Sequence, residues 1–379
     1  MLALLATALA AEPEVRTGCD PAGLPLVNFT SDKGVGYGAY LAGTCYGPEG
    51  SGDLPFRAQL AVQYYATTAG YAYHKVLADL PGFLGTRLRL DAMLGYEDWD
   101  DAFYFGLGND APRLPEADTP DGYYTVGQDS VWATLGLRAP LVGELELFGR
   151  YLLRSAAITV YDGTLAAEQL PFGHEGGVLS QLQLGLLHDT RDTEPNTRQG
   201  HFSELSVRGA HPAVLSDFAT WGANLTDRRW TESGRWVFAA RNGLDVQGGE
   251  APFFHLHVMG GTQVLELGGA QQLRGLFVGR YRGNLSYFGT FEARRSTATF
   301  SLGRADFEWM VAPFVDAVRV WTWDEVDPRL GVHPSAGLGN RLVYNDAFIV
   351  RFDAAVGLEE TTAGSEPHVG MYAFVGHPF

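Results

Sequence analysis

The chain repeatedly alternates apolar and polar residues with a period of two. In LSQLQLGLL, residues 179–187, leucines fall on one face, and Gln181 and Gln183 fall on the other. In FIVRFDAAVGL, residues 348–358, aromatic and aliphatic side chains oppose Arg351 and Asp353. Such alternation predicts β-strands with one apolar and one polar face. Because charged side chains recur on the polar face of aromatic-rich strands, the pattern favours a transmembrane barrel over a soluble sandwich.

The alternating segments number about sixteen, an even count as closed bacterial barrels require. The predicted fold class is therefore all-β, a single transmembrane antiparallel β-barrel over residues 34–379. If the amino terminus is periplasmic, connections after odd-numbered strands face outside, which includes 189–199 and 260–284. The predicted strands are 34–46, 54–67, 70–79, 84–97, 123–138, 143–161, 178–188, 200–210, 218–231, 235–247, 252–259, 285–295, 307–321, 335–344, 348–358 and 368–379.

The amino terminus carries the longest apolar run, MLALLATALAA. It is shorter than the roughly 20 apolar residues that a transmembrane helix needs. The small-x-small site Ala8-Leu9-Ala10 instead predicts a secretory signal over residues 1–10. Residues 11–33 are then expected to form a short periplasmic or lumen-inserted segment ahead of the barrel.

Charge and aromatic content agree with an exported barrel. The net charge of −17 disfavours nucleic acid as a partner. Aromatic residues make up 12% of the chain, which suits girdles at two membrane interfaces. We therefore expect contact with outer-membrane lipid and a location in the outer membrane of a Gram-negative bacterium.

The two cysteines, Cys19 and Cys45, permit one disulfide in an exported protein. If they bond, Cys45 at the outer end of the first predicted strand would draw Cys19 up through the lumen. The segment before the barrel would then act as a small plug. The alternative is that both thiols stay free.

The glycine-rich, cationic stretch QQLRGLFVGRYRGN, residues 271–284, differs from its alternating flanks. An arginine held inside a β scaffold needs an acid partner, because a buried unpaired guanidinium is very costly. Asp316, which shares a strand face with Phe314, and Glu292 are the acids best placed to pair with Arg274.

Several segments together resemble the BamA/TamA-type superfamily of outer-membrane assembly factors and two-partner secretion transporters. Five occur in the family's order along one chain, which makes the resemblance specific. In FVDAV, Ala317 replaces the glycine of the family's Phe-x-Asp-x-Gly motif. The segments are FYFGLGND (103–110), DTRDTEPNTRQGHF (189–202), LRGL (Leu273, Arg274, Gly275 and Leu276), GTFE (289–292) and FVDAV (314–318).

The resemblance implies that the sixth extracellular loop folds back into the lumen and that Arg274 binds Asp316, with Glu292 nearby. It also implies a non-enzymatic role in inserting, moving or scaffolding protein or lipid, without a cofactor. Residues 11–33 are too short for the POTRA domains that precede the barrel in this family. A partner protein is therefore expected to supply that role. The alternative function is a passive or loop-gated pore.

Other candidate sites are weaker. The terminal Phe379, on a final predicted strand, is expected to act as a barrel-insertion signal. His188-Asp189 is interpreted as a rim pair rather than a protease dyad. His255 and His257, at i and i+2, lack a third metal ligand. The carboxylates Asp98, Asp100 and Asp101 are interpreted as a solvated loop, so no metal site is predicted.

Overall fold

The computed structural model describes residues 18–47, 56–111, 113–194, 196–262, 265–303, 305–324, 331–345 and 348–379. Within these residues sixteen strands close into one antiparallel barrel, which confirms the predicted fold class and strand number. The predicted signal over residues 1–10 lies outside the described residues. The barrel strands are β1 (Gly18–Thr30), β2 (Gly34–Tyr46), β3 (Ala58–Thr67), β4 (Tyr71–Pro81), β5 (Arg89–Phe103), β6 (Thr125–Val142), β7 (Leu145–Thr159), β8 (Gly177–Asp189), β9 (Gly200–Ala210), β10 (Thr220–Ser233), β11 (Trp236–Gly249), β12 (Leu285–Leu302), β13 (Ala305–Trp321), β14 (His333–Tyr344), β15 (Phe348–Thr361) and β16 (Gly364–Val375).

The period-two alternation becomes the two faces of the barrel wall. On β8 the side chains of Leu182 and Leu184 point outward and are 57% and 52% exposed, whereas Gln181 and Gln183 point inward and are buried. An outward apolar band and a polar interior are what a lipid-embedded barrel requires. Pairing between neighbouring strands satisfies the backbone groups along most of the wall, with the boundary between β1 and β16 as the exception.

The long connections gather at one end of the barrel. They follow β5, β7 and β11 and span residues 104–124, 160–176 and 250–284. The second contains the short helix α1 (Leu165–Gln169), whose first turn is capped by the Thr164 hydroxyl. Among the described residues, no helix is long and apolar enough to cross a membrane. Single 3₁₀ turns occur at Phe83–Gly85, Glu116–Asp118, Pro212–Val214 and Phe253–His255.

The predicted strand set misses one wall strand and includes one segment that is not a wall strand, so the total of sixteen is still correct. Residues 18–30 form β1, although they were expected to precede the barrel, because Pro21 and Pro25 disguise the strand. Residues 252–259 form no wall strand. They contain a 3₁₀ turn and a two-residue strand, Val258–Met259, which pairs with Leu265–Glu266. Phe253 and Phe254 are both buried there, so the segment has no outward apolar face.

The added first strand changes which connections share an end. Residues 190–199 follow β8, an even-numbered strand, whereas residues 250–284 follow β11. In an antiparallel barrel these two connections lie at opposite ends. The expectation that both are extracellular is therefore wrong. Residues 250–284 remain the sixth connection at their own end, as predicted, and β13 carries the FVDAV motif.

Candidate functional site: the Arg274 loop and the barrel seam

Residues 250–284, here called the Arg274 loop, fold inward from the rim. A tight turn presents the arginine: the Gly269 N–H donates to the Leu276 carbonyl, and the Leu276 N–H donates to the Leu273 carbonyl. Leu273 and Leu276 are buried in an apolar cluster with Phe288. These two leucines therefore fasten both sides of the turn to the inner wall.

Gly275 is required at the tip for two reasons. Its φ of 88° lies in the left-handed region, which favours glycine. A Cβ at this position would also lie 2.7 Å from the backbone nitrogen of Gly357 on β15. The loop backbone thus approaches the wall so closely that no side chain fits between them.

Arg274 meets three carboxylates inside the barrel. Its Nε and Nη2 atoms donate to the two oxygens of Asp316, each at 3.0 Å, and its backbone N–H also donates to Asp316 at 3.0 Å. Nη1 donates to Glu292 at 2.5 Å and to Asp353 at 3.2 Å. The guanidinium lies 3.3 Å from the centroid of the Phe314 ring. The arrangement is bidentate, charge-assisted and shielded from solvent.

Further arginines extend this cluster. Arg294 donates to Glu292 at 2.8 Å, and Arg341 donates to Glu292 at 3.1 Å and also pairs with Asp353. Arg351 lies 3.3 Å from Asp353. We call the four arginines and three carboxylates the Arg274 network. Its members are at most 1% exposed at the side chain, so each charge depends on its neighbours.

Arg274 stays positively charged in this buried cluster. Burial disfavours the guanidinium, but Asp316 and Glu292 outweigh it and raise the pKa of Arg274 above its usual range. The ion pairs therefore persist at every pH at which these carboxylates are ionised.

Sequence reasoning named Arg274, Asp316, Glu292 and Phe314, and the structure brings all four together. It missed Arg294 and Arg341, and it did not connect Asp353 to the loop. Asp353 and Arg351 were placed on the inner face by alternation, which was the available signal. Spacing alone does not tell which inward charges on different strands meet.

The same loop contacts the last strand of the barrel. The Gly275 N–H donates to the Tyr372 hydroxyl at 3.0 Å. On the same strand His368 Nδ1 lies 3.1 Å from the Gly275 carbonyl oxygen, and its ring packs on Phe277 with centroids 4.0 Å apart. The tip that carries Arg274 therefore holds β16 as well as β12 and β13.

The boundary between β1 and β16, here called the seam, is weakly paired. Among the described residues, only Phe29↔Ala373 and Thr30↔Tyr372 are in register across it, and Ser31 N–H adds one bond to the Met371 carbonyl at 3.1 Å. By contrast, β1 pairs with β2 through thirteen residues, and β15 pairs with β16 through twelve. The two strands pair only near their carboxyl-terminal ends. Most of each facing edge therefore has no partner strand among the described residues.

Cys19 and Cys45 lie opposite each other on β1 and β2 and form a disulfide. Both belong to the barrel wall at the end away from the Arg274 loop. The predicted path of Cys19 through the lumen is therefore wrong, and so is the lumen plug. The reason is that residues 18–30 pair with β2 instead of preceding it.

Phe379 does not lie on a strand. β16 ends at Val375, and the chain then turns through Gly376, whose φ is 89°. Inside the barrel the Phe379 ring lies 4.8 Å from the Arg241 guanidinium and packs against Trp230. The predicted strand end at residue 379 is thus wrong, because Pro378 has no N–H to continue the ladder. The role of Phe379 in barrel insertion stays a prediction.

The remaining candidates make other contacts. Asp98, Asp100 and Asp101 lie on β5 and not in a loop, so their interpretation as a solvated loop is wrong. His188 Nδ1 contacts His201 Nε2 at 2.7 Å, and Asp189 pairs with Arg191. His257 lies against Arg282. Among the described residues, no three His, Cys, Asp or Glu side chains are grouped to hold a metal ion.

The barrel resembles solved outer-membrane proteins. Over 95% of this chain it matches BamA from Haemophilus ducreyi lacking POTRA domains 1–3, with a TM-score of 0.63, 15% identity and 70% of that chain covered. CdiB from Escherichia coli matches over 97%, with a TM-score of 0.61 and 16% identity. CdiB from Acinetobacter baumannii matches over 96%, with a TM-score of 0.54 and 14% identity.

The chain spans 63% and 60% of the two CdiB chains. No family model and no curated protein matches the sequence. The barrel fold that the resemblance implied is confirmed by these structures.

Proposed function

We propose that this chain is an outer-membrane assembly or transport barrel whose lateral exit is the seam and whose lumen is closed by the Arg274 loop. The main support for the proposal is that one loop tip contacts both the lumen wall and the seam. Arg274 binds the wall at Asp316, and the adjacent Gly275 binds Tyr372 at the seam. Movement of the tip therefore changes the lumen and the seam together.

The limited pairing of the seam supports a lateral exit. Two residue pairs leave few backbone bonds to break, and each such bond contributes about 0.5–1.5 kcal/mol. Opening elsewhere in the wall would break a much longer ladder. The client would be a protein or lipid of the outer membrane, delivered by a partner protein, and the chain itself would carry no catalytic group.

In-cell photo-crosslinking tests the proposal. A photo-reactive amino acid at Val369, an outward residue on β16 beside the seam, is expected to capture a client or partner. The same group at Leu205, an equally exposed outward residue on β9, is the matched control. A protein or lipid adduct found at Val369 and not at Leu205 supports a lateral exit. Equal labelling at both positions, or labelling at neither, contradicts it.

A second measurement addresses the alternative of a loop-gated pore. Cysteines at Phe29 and Ala373, which face each other across the seam, would join it covalently on oxidation. If the function runs through the seam, oxidation reproduces the phenotype of a gene deletion. If the chain works as a pore through the lumen, the joined barrel retains full function.

A further inference from the structure

The hydrogen-bonding direction of each residue at the seam follows from bonds near the strand ends. Arg57 N–H donates to the Cys45 carbonyl, and Thr68 N–H donates to the Val35 carbonyl, so odd-numbered residues of β2 face β3. Even-numbered residues of β2 therefore face β1. In the observed register they pair with even-numbered residues of β1. The odd-numbered residues of β1 must point to the seam.

The last strand is oriented by the same argument. Gly376 N–H donates to the Ile349 carbonyl on β15, so even-numbered residues of β16 face β15. Odd-numbered residues face the seam, in agreement with the bond from Ser31 N–H to the Met371 carbonyl. That bond also places odd-numbered residues of β1 on the seam side, which confirms the assignment for both strands.

Three prolines occupy seam-facing positions on these two edges. They are Pro21 and Pro25 on β1 and Pro367 on β16. None interrupts the ladder behind it: Pro21 pairs with Gly43, and Pro367 pairs with Leu358, in continuous registers. Each proline therefore removes an N–H only from the free edge.

An internal proline shows what happens when the missing donor faces a neighbouring strand. Asn284 N–H donates to the Trp321 carbonyl, so odd-numbered residues of β13, including Pro313, face β12. The β12–β13 ladder passes from Glu292↔Phe314 directly to Arg295↔Val311 and lacks the pair at Pro313. A strand added at the seam would lose pairing in the same way at each edge proline.

We infer that Pro21, Pro25 and Pro367 make the seam resistant to β-strand addition, so that a partner chain cannot form a continuous ladder on either edge. On β1 the prolines alternate with Gly23 and Val27, which leaves every second seam-facing position without a donor. On β16 Pro367 separates Ser365 from Val369. Proline is a recognised means of protecting exposed edges. It also lowers the number of N–H groups that an unpaired edge leaves unsatisfied in lipid.

The inference concerns the edges themselves and holds whichever client the barrel serves. It predicts that material passing the seam is not held there as an added strand. A second copy of this chain, which also ends in proline-containing edges, is excluded from edge-to-edge pairing for the same reason.

Peptide capture by the purified barrel tests the inference. The probe is a biotinylated synthetic peptide with the sequence of residues 348–358, a proline-free strand of this barrel. A photo-reactive amino acid at Val27 reports strand addition to β1, and one at Val369 reports addition to β16. The variant P21A/P25A is expected to bind the peptide on the order of tenfold more tightly at the Val27 position, because two backbone donors are restored. P367A should strengthen capture at the Val369 position alone.

Two controls separate edge pairing from other effects. Pro81→Ala removes the proline at the end of β4, away from the seam, and should leave capture unchanged. A photo-reactive group at Leu205 measures peptide that merely enters the detergent micelle. The inference is overturned if folded P21A/P25A, with native β circular dichroism, captures no more peptide than the original chain. It is also overturned if P367A fails to raise capture at the Val369 position, or if the original chain captures as much peptide as the variants do.

Discussion

Replacement of Arg274 by alanine is expected to release the loop from the lumen. The side chain supplies both bidentate bonds to Asp316, each 3.0 Å long, a third bond to Glu292 and a fourth to Asp353. Glu292 keeps Arg294 and Arg341 as partners, but Asp316, whose side chain is fully buried, loses its ion pair. The variant therefore leaves one buried carboxylate without a cation.

The size of the effect follows from that orphaned charge. Removing one partner of a buried ion pair costs about 3–5 kcal/mol. At about 1.4 kcal/mol for each tenfold, the equilibrium between docked and released loop shifts by roughly two hundredfold to several thousandfold. Because the loop tip lies inside the barrel against the wall, release should appear as larger and longer openings in single-channel recordings from planar bilayers. The loop should also become sensitive to protease.

Three variants calibrate the result. Arg274→Lys keeps the charge but loses the planar fork, so its conductance should be intermediate. Adding Asp316→Asn to Arg274→Ala removes the orphaned carboxylate and should restore part of the stability. Arg229→Ala breaks a pair with Asp227 whose arginine is 73% exposed, and it should change nothing. The reasoning is refuted if Arg274→Ala has the conductance and protease resistance of the Arg229→Ala control.

Three further outcomes follow from the structure. Gly275→Ala should release the loop in the protease assay, since its Cβ meets backbone at 2.7 Å, whereas Gly70→Ala, with a similar φ and open space, should not. Replacing Cys19 and Cys45 by serine should raise hydrogen exchange at the base of the β1–β2 hairpin and lower its stability by about 2–4 kcal/mol at most, with little change elsewhere in the barrel. Burial raises the pKa of Asp32, in the turn after β1, to about 7 from 3.8. The folded-state pKa thus exceeds the unfolded one, so the contribution of Asp32 to stability is fully present below about pH 4 and is lost as pH rises through about 7. Asp32→Asn should flatten this dependence in thermal midpoints measured at about pH 5 and 8.

Much of the site could be predicted from the sequence. Alternation placed Arg351 and Asp353 inside the barrel, and the need of Arg274 for an acid pointed to Asp316 and Glu292. The wider network could not be predicted. Arg341 and Asp353 join Arg274 because the loop folds across the inner face of four adjacent strands, β12 to β15. Inward position alone does not specify which side chains meet there.

The strand order shows the same limit. Alternation determined the all-β class, because each wall strand must present an apolar face to lipid and a polar face to the lumen. It could not recognise β1, since Pro21 and Pro25 read as strand breakers until one edge is known to be free. Nor could alternation show that residues 252–259 form no wall strand. Their alternating side chains are buried inside the barrel, and the sequence alone does not distinguish that burial from an outward apolar face.

The seam was decided by tertiary structure alone. The register between β1 and β16 depends on the sum of all the pairings around the barrel, which no local pattern contains. That register leaves two pairs at the seam and gives the three prolines a free edge. The sequence by itself determined which residues could build a barrel with an inward arginine loop. Closure determined where the wall is weakest and which strand that loop holds.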